Sequence, residues 1–376
     1  MAMSARADLS EARRSRVALI AERASARAVS TWRRADAEAL DASWAALAPA
    51  ITRTALDAQT VAVAGANRHV GRLAAFDDVG DATPIQTAGM VGVDGSGRAL
   101  DGLLHGTVTT TKERVAAGVG VVSAFESGAA YLAAMMQTAI MDVARQADMS
   151  AGVARKYDYY VRVVQPGACS RCLQLAGVVG MSDFKRHPAC KCSVEPMTRD
   201  AYEDFNPFAT QTDEHLRRAL GDAGYEAWQA GGDFNQIVSS RRGALVDGMR
   251  SATGRAPRGV LRREVVGRAA DGSPITVFTT LEGATRRGVY GRMERNLYRS
   301  NWGGAGTAAR RRLMPESIFQ IARDPAEARV LLIDAGYISP TRAFSGFPGP
   351  DYQASALANR AAADRIFRRA GITIQR

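Results

Sequence analysis

Four cysteines and one histidine fall within 24 residues of a 376-residue chain, in the stretch CSRCLQLAGVVGMSDFKRHPACKC. They are Cys169, Cys172, His187, Cys190 and Cys192, and they include every cysteine of the protein. The spacing is C-x2-C-x14-H-x2-C-x-C. Thiolates and imidazole are the ligands zinc prefers. A CxxC pair in a tight turn sets two sulfurs on one side of the backbone, and a second pair about 15 residues on completes a tetrahedral site. Zinc takes four ligands and five are offered. Cys190 is the weakest candidate of the five, although alternation along a CxC strand puts Cys190 and Cys192 on one face. Other chemistry fits less well. A disulfide pair needs an oxidising compartment, and thioredoxin-like exchange through CSRC needs a βαβ pattern with a helix starting at Cys172. A catalytic zinc needs an acidic partner that no residue after a ligand supplies. The expected cofactor is structural zinc.

Two strands are placed to hold this window. YYVRVV (159–164) is β-branched and aromatic, SVEPM (193–197) reads as its return, and Pro166, Gly167 and Pro188 are turn residues. So little apolar core is available here that the metal must supply folding energy.

The flanks are helical. Val29, Trp32, Leu40, Trp44 and Leu47 lie on one helix face, with Asp36 as the single polar break. Pro49 interrupts, and Ile51, Ala55, Ala58, Ala62, Ala66, Val70 and Leu73 continue a second stripe, predicting a long αα-hairpin. Residues 80–97 read as loop. Helix resumes over 100–147, punctuated near Gly118, Gly120 and Gly128, whose small size permits close packing. Within it, residues 127–141 are uncharged, but 15 residues fall short of the roughly 20 a spanning helix needs, so a buried helix is expected. The first residues hold no apolar run of signal-peptide length before charges return, so no export signal is read. Beyond the cysteines, helix is expected over 201–230, anchored by Tyr202, Phe205, Leu216, Leu220 and Trp228, and a strand over 273–280. Pro315 starts one helix. Asp324 and Pro325 cap another that stops at Gly336. A last helix spans 351–370, with Arg365, Arg368 and Arg369 at its negative pole.

The net charge is +11, and residues 241–312 carry all of it, with 16 arginines against 5 acids while 33 basic and 33 acidic residues balance elsewhere. Such a segment suits an anionic partner, most simply nucleic acid. No catalytic constellation stands out. His69, His105 and His215 are scattered, and neither a nucleophile elbow nor a phosphate-binding glycine loop is present. The fold expected is mainly α: long helical hairpins, a small zinc-stapled α+β module in the middle and a basic C-terminal region. The divisions are a helical domain (1–155), the knuckle module (156–200), a helical segment (201–240), the arginine-rich region (241–312) and C-terminal helices (313–376).

QPGACSRCLQLAG followed by HPACKCSVEP resembles the zinc-knuckle segment of MuF-like minor head proteins of tailed bacteriophages, especially those of actinobacterial phages. Three further stretches resemble the same family in order: KERVAAGVGVVSAFESGAAYLAAMMQTAIMDVARQA, GGDFNQIVSSRRG, and TTLEGATRRGVYG with RLMPESIFQIA. Together they span roughly residues 110–340. The resemblance implies a virion component assembled in the host cytoplasm and held, in several copies, inside the head near the portal. Its partners would be the portal or major capsid protein and packaged double-stranded DNA, with no membrane. The two lines meet in the basic segment, where non-specific phosphate contact by Arg241, Arg242, Arg262, Arg263, Arg286, Arg287, Arg310, Arg311 and Arg312 is expected. The alternatives are a capsid maturation protease, for which no nucleophile can be named, and a host zinc-containing nucleic-acid-binding protein.

Overall fold

Trp32 closes the first helix, α1 (Ala2–Trp32), and Leu40 opens the second, α2 (Leu40–Ala64). The sequence reads them as one helix face, but residues 33–39 turn instead. The Asp36 carboxylate accepts from the Glu38 amide at 2.9 Å, and the Ser43 hydroxyl accepts from the Asp36 amide at 2.9 Å. These local bonds give the backbone an alternative to helix. Both sides of the turn still enter one core, where Trp32 stacks on Phe125 with ring centroids 4.8 Å apart and meets Trp44 edge-on at 6.1 Å.

Pro49, expected to interrupt, lies inside α2. It is exposed, so the carbonyl its ring frees faces water, while Trp44 and Ile51 on either side are buried. The interruption falls at Gly65. From there α3 (Ala66–Phe76) continues the second stripe, and every member from Ile51 to Leu73 is buried. Two side-chain amides, the Gln59 one buried and the Asn67 one half-buried, pin the following loop: Asn67 pairs with the backbone of Ile85, and Gln59 with Gly92 and Val93.

The structure, a computed structural model, describes residues 2–177, 184, 187–241, 261–268, 272–280, 312–338 and 350–372. The chain is mainly helical and divides into two units, Met1–Gln211 and Thr212–Arg376. In the first unit, α4 (Leu100–Ala116) and the 34-residue α5 (Val121–Ala154) are the helices predicted over 100–147, divided where Gly118 and Gly120 were expected to punctuate. Gly128 does not punctuate α5. A Cβ there would overlap the Thr111 hydroxyl and lie 3.0 Å from the Thr107 carbonyl, so the glycine is what lets α4 and α5 touch. The spine is α5, against which α1, α2, α3 and α4 all pack.

At its far end α5 leads into β1 (Tyr159–Val163), antiparallel to β2 (Ser193–Met197). Between them lies the one-turn α6 (Ser170–Gln174), and α7 (Arg199–Glu203) follows β2. Arg6 of α1 holds β2 from below. It pairs with Glu195 and with Asp77 and donates to the Pro196 carbonyl at 2.8 Å, and Tyr157 donates to the same Asp77 at 3.0 Å. Such buried pairs add little net stability but are costly to break.

The helix expected over 201–230 is three pieces. An Asx turn at Asn206, whose side chain accepts from the Phe208 amide at 2.9 Å, and Gly221, at φ 70°, divide it. Tyr202 and Phe205 pack on β1 and β2, while Leu216 and Leu220 enter the core of the second unit.

That unit holds α8 (Asp213–Leu220), α9 (Asp222–Gln229), α10 (Phe234–Ser240) and an antiparallel sheet of β3 (Leu261–Arg268), β4 (Pro274–Thr280) and β5 (Arg312–Leu313). It ends with α11 (Pro315–Ile321), α12 (Pro325–Asp334) and α13 (Pro350–Arg369). The caps are those expected: Asp324 accepts from the Glu327 amide at 2.8 Å, and Gly336 follows α12 at φ 72°. The expected strand 273–280 is β4. Its partner β3, rich in arginine, carries no alternating apolar pattern to announce it.

Candidate metal centre

The β1–β2 register pairs Val163 with Ser193, the residue after Cys192. It therefore carries the CxxC segment, which follows β1, alongside the HxxCxC segment, which precedes β2. Gly167 makes the turn after β1 at φ 67°, and Cys169 enters α6 with extended backbone, its carbonyl accepting from the Leu173 amide at 3.0 Å. On the other side His187, Pro188, Ala189 and Cys190 form a turn closed by the Cys190 amide donating to the His187 carbonyl at 3.2 Å. Ala189 takes a positive φ of 59°, which costs a residue with a Cβ about 1 kcal/mol or more. Thr138 of α5 holds it there by accepting from its amide at 2.8 Å.

All five predicted ligands meet. The His187 Nε2 lies 3.3 Å from the Cys169 sulfur and 3.4 Å from that of Cys172, and the Cys172 and Cys190 sulfurs are 3.6 Å apart. Two triads result, Cys169–Cys172–His187 and Cys172–Cys190–Cys192, sharing Cys172. With metal–sulfur bonds of about 2.3 Å, the edges of a tetrahedral site are about 3.5–3.8 Å, close to the separations here. Nδ1 of His187 faces the Pro188 carbonyl at 2.8 Å, so Nδ1 donates and Nε2 presents its lone pair to the sulfurs. The four cysteines are free, with Cys169 exposed and the others buried. The donor set and its geometry can hold a metal ion.

Shared protons shape the cluster. Hydrogen bonding from Cys172 brings Cys169 down to about 5, below the ordinary thiol range. Cys190 is held low by hydrogen bonds from Cys172 and Cys192 and by the charge of Arg145. Cys172 is pushed up because it donates to Cys169, Cys190 and Cys192. Thiolate character is what a metal requires.

The sequence reading missed the residues that seat the cluster. Arg145, 3% exposed, rises from α5 and donates to the Cys190 carbonyl at 2.5 Å and the Cys192 carbonyl at 2.9 Å, while pairing with Asp142 at 2.6 Å. Arg162 of β1 reaches within 3.9 Å of the Cys190 sulfur. The Phe184 ring covers both guanidinium groups, 4.5 Å from Arg145 and 3.7 Å from Arg162. One signal was legible: Asp142 and Arg145 are the first charges after 15 uncharged residues of a helix expected to be buried. The strands around the knuckle are antiparallel, unlike the βαβ crossover of thioredoxin-like folds.

The remaining histidines serve the scaffold. His69 is buried among arginines and pushed down to about 3 by burial and by Arg13, Arg6 and Arg72. His105 meets Trp44 edge-on, and His215 completes the capping box of α8 with Thr212.

Of the nine arginines predicted to contact DNA, Arg242, Arg286, Arg287, Arg310 and Arg311 lie outside the described residues, and Arg262 and Arg263 lie on β3. Arg312 is 1% exposed, its guanidinium 4.1 Å over the Tyr337 ring and 3.4 Å from the Gln236 side chain. It faces the core of its unit. Arg241 is paired with Glu316.

No protein-family model matches the chain, no curated protein matches it in sequence, and no solved structure matches it in fold. Among the described residues no helix is long and apolar enough to cross a membrane.

Proposed function

We propose that this chain is a minor head protein of a tailed bacteriophage, placed inside the shell near the portal, whose role is structural. The observation that carries the reading is the knuckle: five ligand-type residues in the order that resembles MuF-like head proteins, which come together in one cluster. Zinc is the metal in this reading, because thiolate and imidazole donors at tetrahedral spacing select it. Cysteine sulfurs and the His187 Nε2 would hold it, and the ion would lock the knuckle to β1, β2 and α5.

The basic segment supplies the second contact in this reading. A protein inside a filled head sits against DNA phosphates at high density, and the arginines of residues 241–312 suit sequence-independent binding.

Mass spectrometry of purified virions tests the placement. Peptides of this chain should survive nuclease and external protease treatment of intact heads and become digestible once the heads are opened. Peptides only in the lysate, and none in virions, would reject it. Co-expression with the major capsid protein reads out the protease alternative, which requires cleavage that a single Ser or His substitution abolishes.

A further inference from the structure

Five donors compete for four metal positions, and three observations separate them. The first is a repeated turn. Cys169-x2-Cys172 and His187-x2-Cys190 have the same spacing, and each lies in a turn that a backbone bond closes, the first by the amide of Leu173, one residue past Cys172, donating to Cys169 at 3.0 Å and the second by the amide of Cys190 donating to His187 at 3.2 Å. A turn of this kind brings positions i and i+3 to one side. Cys190 belongs to that turn and not to a strand, since β2 begins only at Ser193. Strand alternation, which would set Cys190 and Cys192 on one face, therefore does not apply to it.

The second is connectivity. Cys169 to His187, His187 to Cys172 and Cys172 to Cys190 run at 3.3, 3.4 and 3.6 Å, tetrahedron-sized edges through four donors, while Cys192 groups with Cys172 and Cys190 alone. The third is charge. Arg145, Arg162 and Asp142 are buried at 3%, 4% and 4% exposure around the cluster, and together leave one positive charge. Zinc with three thiolates and one neutral imidazole carries one negative charge and is balanced. Zinc with four thiolates would carry two, and buried charge left uncompensated is costly.

We infer that Cys169, Cys172, His187 and Cys190 are the ligands, and that Cys192 is a buried thiol outside the coordination sphere. This rests on the zinc reading above. The Cys192 backbone serves as an anchor instead, its carbonyl held by Arg145 at 2.9 Å.

The test uses the full-length chain and its Cys190→Ser and Cys192→Ser variants, purified with zinc and measured by plasma mass spectrometry, with circular dichroism as a folding control. Cobalt(II) replaces zinc in a parallel set. Wild type and Cys192→Ser should each hold about one metal per chain, with the same sulfur-to-cobalt charge-transfer intensity. Cys190→Ser should bind at least tenfold more weakly with its helices intact. Loss of zinc from Cys192→Ser, or a charge-transfer band about one third weaker in that variant, overturns the assignment. So does retention by Cys190→Ser. A wild-type chain that takes up neither zinc nor cobalt rejects the zinc reading itself, a result distinct from the wrong choice of sulfur.

Discussion

The Arg145 guanidinium donates to the Cys190 carbonyl oxygen at 2.5 Å, across 45 residues of sequence. Through this bond and its partner to Cys192, the longest helix of the chain grips the second half of the knuckle, where the surrounding apolar core is thin. Arg145→Ala would leave two carbonyls and the Asp142 carboxylate buried without that guanidinium. The expected cost is about 3–5 kcal/mol, read as a lower urea midpoint, with metal affinity falling about 10–100-fold. Arg145→Lys keeps the charge but not the fork and should fall between. Wild-type stability and affinity in Arg145→Ala would show that the grip is incidental.

Metal removal should act locally. The core built on Trp32, Trp44, Ile51, Leu104, Leu132 and Met136 contains no knuckle residue. A chelator at neutral pH should therefore expose the amides of residues 161–194 to hydrogen exchange while the far-ultraviolet helix signal persists. Cooperative loss of all helix on chelation would mean that the knuckle stabilises the whole unit.

Gly128→Ala should destabilise by about 1–3 kcal/mol, because the new methyl meets Thr111 and the Thr107 backbone at a close helix contact. Gly102→Ala is the control. Nothing lies within 4 Å of its would-be Cβ, so the helix-propensity gain of up to about 1 kcal/mol should appear. Equal thermal shifts for the two would contradict the packing described for α4 and α5.

His69 is held neutral in the fold, at about 3 against 6.5 for an ordinary histidine, by burial and surrounding arginines. The unfolded chain therefore takes up a proton below about pH 6.5 that the folded chain refuses until about pH 3. Stability must fall across that window, by about 2 kcal/mol from this residue at pH 5. Chemical denaturation at pH 7.5 and pH 5 should show a smaller acid penalty for His69→Gln than for wild type. Identical pH slopes would mean that His69 is protonated in the fold.

DNA binding should weaken with salt and be indifferent to sequence. Replacing Arg286, Arg287, Arg310 and Arg311 with Gln should flatten the slope of log affinity against log salt by roughly 0.9 for each phosphate that is no longer neutralised. Arg312→Gln should leave that slope alone and lower stability instead, since its guanidinium lies inside the unit against Tyr337. A reduced slope in Arg312→Gln with unchanged stability would reverse that division of roles.

Local signals were strong enough to place most elements. The period of Ile51, Ala55 and Ala58 predicted an apolar helix face, β-branched residues predicted β1, and Asp324 with Pro325 predicted a cap, because each depends on neighbours within a turn or two. The cysteine spacing likewise named the five donors, since a metal ligand is identified by its own chemistry. Where a helix breaks was less legible. Asp36 and Ser43 end one through bonds to nearby amides, while Pro49, by residue type the stronger breaker, is tolerated on the exposed face of its helix. Only the tertiary structure could decide that Arg145 and Arg162 stand around the sulfurs and that Arg312 is buried. Those placements depend on which helix and strand pass beneath a loop, and a charged side chain carries no mark of whether it will meet water, a carbonyl or a thiolate.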